Sequence, residues 1–266
     1  MSATVVTILG CGSSGGVPRV ASGWGACDPA NPKNRRRRCS ILVEREGPAG
    51  VTRVLVDTGP DLREQLLGHG VDRLDGVLYT HEHADHTHGI DDLRPLAIDM
   101  RTRVDVWADA RTSAFLHARF GYVFHTPPGS DYPPILTEHR LTVGEPATIE
   151  GQGGPVTAIP FDLRHGRETM ALGFRFGGIA YTPDVSDIPL ASQPLLEDLD
   201  VWIIDALRET PHSSHFTLAQ ALDWIARLRP KRAVLTNLHT DLDYDALQAR
   251  LPKGVEAAYD GLRIVG

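Results

Sequence analysis

Seven consecutive residues constrain this chain more than any other stretch. Thr80-His81-Glu82-His83-Ala84-Asp85-His86 follows directly on the strand-like run Gly76–Tyr79, and four of the 12 histidines fall between His81 and His88. Alternate residues of an extended segment point the same way, so His81 and His83 can reach one ion. Where the chain then turns, Asp85 and His86 can aim at a second. Imidazole and carboxylate donors suit Zn²⁺, Mn²⁺ or Fe and disfavour soft Cu(I). The cluster is internal and interrupted, which excludes an expression tag. Four ligands do not fill two coordination spheres, so the fold must bring others from far along the chain.

Candidates stand at the ends of later strand-like runs. His165 follows Val156–Leu163, Asp184 follows Ile179–Tyr181 and His239 follows Ala233–Thr236, so all three can converge on one rim. Further runs of this kind are Val5–Leu9, Ser40–Val43, Val51–Val56, Val104–Trp107, Ala171–Phe176, Val201–Ile204 and Gly261–Val265. Helical spacing lies between them. Leu62, Leu66 and Leu67 share a face, as do Ile90, Leu93, Ala97 and Met100, although Pro95 should delay or kink the second helix. Thr217 and Gln220 form a capping box ahead of the apolar stripe Leu218, Ala221, Leu222, Ile225 and Leu228. Two sheets packed face to face with helices outside would bury every stripe, in a single domain over residues 1–266.

Composition narrows the classes. The formal net charge is −7, which argues against a broad nucleic-acid-binding surface. Cys11, Cys27 and Cys39 form no CxxC pair and no disulfide framework, as suits a reducing compartment. The opening residues lack a basic n-region, and no apolar run approaches the ~18 residues of a membrane span. The expectation is a cytoplasmic protein without a membrane partner. Homodimerisation stays open.

Two motifs fail on context. Gly10-Cys11-Gly12-Ser13-Ser14-Gly15 matches GxGxxG and contains GxSxG, yet Gly16-Val17-Pro18 cannot open the helix that either mechanism needs. The segment reads instead as a glycine-rich loop, with Gly12, Ser13, Ser14 and Gly15 lining a substrate pocket. The run Arg35–Arg38 reads as a solvated turn or salt-bridged face, with phosphate capture as its alternative. The Pro-rich loop Phe124–Pro134 reads as a lid, a contact loop or a simple connection.

The run THEHADH, preceded by VLVDTGPD and followed by His165, Asp184 and His239, resembles the metallo-β-lactamase fold hydrolases. That resemblance implies a four-layer αββα sandwich of α/β class with two divalent ions at one edge. It assigns His81, His83 and His165 to one ion and Asp85, His86 and His239 to the other, with Asp184 bridging and Asp57 bracing the ligand loop. The opening GCGSSGGVP and the later GIDDLRPL resemble the phosphoribosyl 1,2-cyclic phosphate phosphodiesterase branch. The segment His212-Ser213-Ser214-His215-Phe216-Thr217 resembles the HxT motif of that branch and of tRNase Z, which makes His215 the acid; His212 stays as an alternative. The structural zinc of the cyclic phosphodiesterase has no matching cysteine cluster, and Leu242 stands three residues after His239 where a histidine would be needed. Nothing between Asp184 and His215 resembles the basic arm of tRNase Z.

Two ions make an attacking water available near neutral pH and clamp phosphoryl oxygens. With Asp85 in the machinery and His215 protonating the leaving oxygen, the expectation is a phosphodiesterase for a small cyclic or nucleotide-like phosphodiester. The alternatives are a thioester or lactone hydrolase of the same fold, and a non-catalytic metal carrier or sensor.

Overall fold

The computed structural model describes residues 4–266. The chain forms β1 (Thr4–Gly10), β2 (Ser40–Gly47), β3 (Gly50–Val56), β4 (Gly76–Leu78), β5 (Val104–Ala108) and β6 (Leu136–Arg140). It continues with β7 (Ala147–Ile149), β8 (Val156–Arg164), β9 (Met170–Phe176), β10 (Ile179–Thr182), β11 (Val201–Asp205), β12 (Arg232–Thr236), β13 (Val255–Ala257) and β14 (Arg263–Val265). One sheet runs β14-β1-β2-β3-β4-β5-β6 and the other β13-β12-β11-β10-β9-β8-β7. Each expected strand is present. β6, β7 and β13 add short strands that the pattern does not announce.

Strand alternation explains the layering. Val54 and Val56 of β3 face the second sheet, where Phe174, Tyr181, Ile203 and Val234 meet them in a shared core. Leu55 points the other way, onto Leu62, Leu66, Leu93 and Leu116 of the helices covering the first sheet. On the far side, Trp202, Ile204 and Leu235 of the second sheet meet Leu218, Ala221 and Ile225. The result is helix, sheet, sheet, helix. Leu218–Leu228 is opened by the Thr217–Gln220 capping box. The helix Arg94–Met100 carries Pro95 in its first turn, after a 3-10 segment over Ile90–Leu93. Proline thus starts that helix where its missing N–H costs nothing.

The central strands β3, β4 and β5 run parallel to one another, as do β10, β11 and β12, so their carboxyl ends reach one edge. No helix among the described residues is long and apolar enough to cross a membrane. The loop 124–134 is largely exposed, and Pro127, Ser130 and Tyr132 lie beside Arg94 and Tyr122 around a shallow cavity. In the basic run only Arg35 is exposed. It lies over the Trp24 ring, while Arg37 and Arg38 pair with Asp260 and Asp61. Arg36 corrects the solvated reading, because it is fully buried.

Candidate active site and metal centre

β3 is followed by Asp57, a fully buried residue with φ of 66°. Left-handed backbone is uncommon for a non-glycine residue, and here it turns the carboxylate toward the next strand end. Asp57 Oδ1 accepts the Thr80 N–H at 2.8 Å, and Oδ2 accepts the Thr80 hydroxyl at 2.8 Å. His86 Nδ1 lies 2.7 Å from Oδ2. One carboxylate therefore hydrogen-bonds to both ends of the loop after β4. Burial pushes the Asp57 pKa up, against the pull of His86.

The histidine rings are oriented from behind. His81 Nδ1 lies 3.0 Å from Thr80 Oγ1, whose own proton goes to Asp57. His165 Nδ1 donates to the Ser214 carbonyl at 2.8 Å. With these protons turned outward, His81 Nε2 and His165 Nε2 face inward as lone pairs. They lie 3.0 and 3.2 Å from His83 Nδ1. Three imidazole nitrogens this close share either a proton on His83 Nδ1 or a cation lying among them. Around a tetrahedral ion with Zn–N bonds of 2.0–2.1 Å the nitrogens would be about 3.3 Å apart. Burial lowers the pKa of His81 and His165, which keeps both rings in the neutral form that a metal takes.

The second group has different chemistry. His86 gives its Nδ1 proton to Asp57, so its Nε2 faces two carboxylates, Asp184 at 2.8 Å and Asp85 at 3.5 Å. Against the effect of burial, Asp184, Asp57 and Asp85 raise the His86 pKa, so this nitrogen takes either a proton or a metal ion. Donor atoms of His81, His83 and His165 lie within 4.8 Å of one another, as do those of His81, His86 and Asp184, and those of His165, Asp184 and His215. Asp184 belongs to two of these groups, as do His81 and His165, so the three groups form one continuous centre. The residues fit divalent ions.

His239 does not join them, which corrects its assignment to the second ion. Its Nδ1 is held by Asp241 and its Nε2 meets the Arg19 guanidinium. The side chain that reaches the centre from this loop is Asn237, whose Nδ2 lies 3.0 Å from Asp184 Oδ1 and 2.9 Å from the Pro183 carbonyl.

His215 sits beside the centre. Its Nδ1 is 2.8 Å from Asp205 Oδ2 and 3.4 Å from Asp184 Oδ1. Burial works against its charged form, yet Asp205, Asp184 and Asp85 push its pKa up to about 9. His212 is exposed, with its ring 5.0 Å from that of His215, and only Ser214 holds its Nδ1. Burial lowers its pKa.

The glycine-rich loop packs more than it lines. Gly12 bridges to Leu238 and to Arg38, and the Ser13 N–H donates to the Leu238 carbonyl at 3.3 Å. Gly12 and Ser13 are buried, and only Ser14 of the four is exposed. A Cβ on Gly15 would lie 2.4 Å from Arg19 Nε, so this glycine makes room for a guanidinium. The open space lies elsewhere: a cavity of about 480 Å³ is lined by His83, Ala84, His88, Arg119 and Phe120. Asp205, Asn237 and Arg19 were not found by pattern. Asp205 carries the same signal as Asp184, an acid at the exit of an apolar strand.

Residues 52–237 match the family described as Beta-lactamase superfamily domain. The chain is 36% identical to a solved structure described as a new diphosphatase from the PhnP family, over 100% of this chain and 98% of that one, with a TM-score of 0.89. It is 34% identical to an octanoyltransferase of Porphyromonas gingivalis over 97% of this chain and 51% of that protein, so it spans about half the length of that curated relative. Zn²⁺-bound PqqB from Methylobacterium extorquens shares the fold at 19% identity, over 98% of this chain and 99% of that one, with a TM-score of 0.73. With its seven-stranded sheets and its His/Asp centre, the chain is a metallo-β-lactamase fold hydrolase, and it belongs to the beta-lactamase superfamily and, within it, to the PhnP family.

Proposed function

We propose that the chain is a phosphodiesterase acting on a small cyclic or nucleotide-like phosphodiester, with two divalent ions and with His215 as general acid. The observation that carries this reading is the Asp205–His215 pair at the edge of the Asp184 group. Asp205 takes the Nδ1 proton of His215, which leaves Nε2 as the nitrogen available to a substrate. Bound divalent ions would supply an activated water and neutralise charge on the phosphoryl oxygens. His81, His83 and His165 would hold one ion, Asp85 and His86 the other, and Asp184 would touch both.

The chain's own work is then positioning and proton delivery. Asp57 keeps His86 in one tautomer and the ligand loop in one path, which is how a hydrogen-bonded carboxylate tunes a metal-binding histidine. His215 gives its Nε2 proton to the leaving oxygen, a step worth typically about 10²–10⁴-fold. The cavity beside His83, with Phe120 and Arg119 on its walls, offers room for the organic group of the ester. A thioester expels a thiolate, which needs no such acid to the same degree, so the Asp205–His215 pair favours the phosphodiester over the thioester.

A panel of bis(p-nitrophenyl) phosphate, a small cyclic phosphodiester, a phosphomonoester and a thioester, each with Mn²⁺ or Zn²⁺, tests the proposal. Turnover of the diesters above the others is expected. Hydrolysis confined to the thioester would overturn it.

A further inference from the structure

We infer that the two ion positions are unequal in this chain, and that Asn237 is the residue that makes them so. The inference rests on the metal-dependent reading above. The first position has three imidazoles, from His81, His83 and His165, with donor atoms 3.0–3.2 Å apart. The second has one imidazole, His86, with Asp85 and the shared Asp184. A third ligand of its own is required to balance the two sets. His239 does not supply it, because both ring nitrogens are engaged by Asp241 and Arg19.

Asn237 is the side chain of the loop after β12 that reaches the shared carboxylate Asp184, and it meets it with its N–H end. The Pro183 carbonyl and the Asp184 carboxylate can only accept hydrogen bonds. Asn237 Nδ2 lies 2.9 and 3.0 Å from them, so its two protons are committed and its orientation is fixed. The amide therefore presents donors to the centre and no lone pair. It also engages Asp184 Oδ1, the oxygen next to the Oδ2 that lies 2.8 Å from His86 Nε2, and so fixes how this carboxylate is turned toward the second set. The backbone holds this arrangement: Asn237 is 3% exposed and has φ of 62°, a conformation that asparagine tolerates better than most residues.

The first position consequently keeps its ion through dialysis, whereas the second exchanges. Its oxygen-rich set, one nitrogen against two carboxylates, also suits Mn²⁺ relative to Zn²⁺ more than the three-imidazole set does. Asn237 is a positioning residue here. It acts through Asp184.

The test is metal content by elemental analysis, with dissociation constants from titration of the metal-free chain with Zn²⁺ and with Mn²⁺. The wild-type chain should retain close to one ion per chain after extended dialysis and take up a second at least about tenfold more weakly. Asn237→Asp keeps the side-chain shape but replaces the donor with an oxygen ligand, and should bring the retained content close to two. Asn237→His should act in the same direction. Two equally tight ions in the wild-type chain would overturn the inference and leave the phosphodiesterase reading standing. No divalent ion bound at all would overturn both. Retention unchanged in a folded Asn237→Asp chain would show that Asn237 does not set the difference.

Discussion

The loop after β4 and the loop after β12 approach the same centre from opposite sheets, and both carry histidines at the exit of a parallel strand. The first delivers His81, His83, Asp85 and His86. The second delivers an amide, and its histidine turns to Arg19. The difference lies behind the ring, not in the residue type. An imidazole of the first loop that is braced from behind keeps its other nitrogen turned toward the centre, as His81 does through Thr80. His239 is also braced, by Asp241, but its remaining nitrogen meets a guanidinium. A histidine at a strand end becomes a metal ligand only when its free nitrogen is left unclaimed.

The largest effect should come from the residue both loops share. Asp184→Ala removes the carboxylate common to two donor groups, and kcat/KM on any phosphodiester should fall by about 10⁴ or more, with loss of bound metal. Retention of the full metal content in that variant would break the picture of a single centre.

His215→Ala should cost roughly 10²–10⁴ in kcat on a diester with an alkoxide leaving group, and far less on a p-nitrophenyl ester. Metal content should hold. Equal losses on both substrates would assign His215 to binding instead of proton transfer.

Asp57→Asn tests the bracing directly. The amide cannot accept from both Thr80 and His86 as the carboxylate does, so metal affinity should drop about 10–100-fold. An unchanged affinity would mean that the backbone alone shapes the loop.

The smallest effect is expected at His239. His239→Ala should leave metal content unchanged within about twofold, since its nitrogens face Asp241 and Arg19. A clear loss of one ion would restore it as a ligand and erase the contrast between the loops.

Much of this was legible in the chain itself. The spacing of His81, His83, Asp85 and His86 survives folding because it is local: a strand end followed by one turn fixes where four side chains go. His165 and Asp184 were legible because their strands end cleanly. The exit of β12 was not. Asn237 adopts left-handed backbone, which breaks the alternation that places residues two apart on one side, and no sequence pattern announces that. The edge strands β6 and β7 were equally silent, since Leu136–Arg140 is mostly polar and Ala147–Ile149 has three residues. The basic run misled for another reason. A buried guanidinium such as Arg36 is satisfied by carbonyls contributed by distant segments, and composition carries no trace of them.

That guanidinium has a consequence for the order of assembly. Arg36 donates to the Leu242 carbonyl at 2.7 Å and to the His239 carbonyl at 3.2 Å, across more than 200 residues of sequence. β1 likewise completes its pairing only against β14. The early glycine-rich segment thus finds its partners in parts of the chain made more than 200 residues later. Contacts of such high sequence separation form slowly, because loop closure must come first. The ligand loop after β4 can take shape among its neighbours in the first sheet. The wall that carries Arg19 waits for the far end of the chain, so a nascent polypeptide would hold half of its centre long before it could use it.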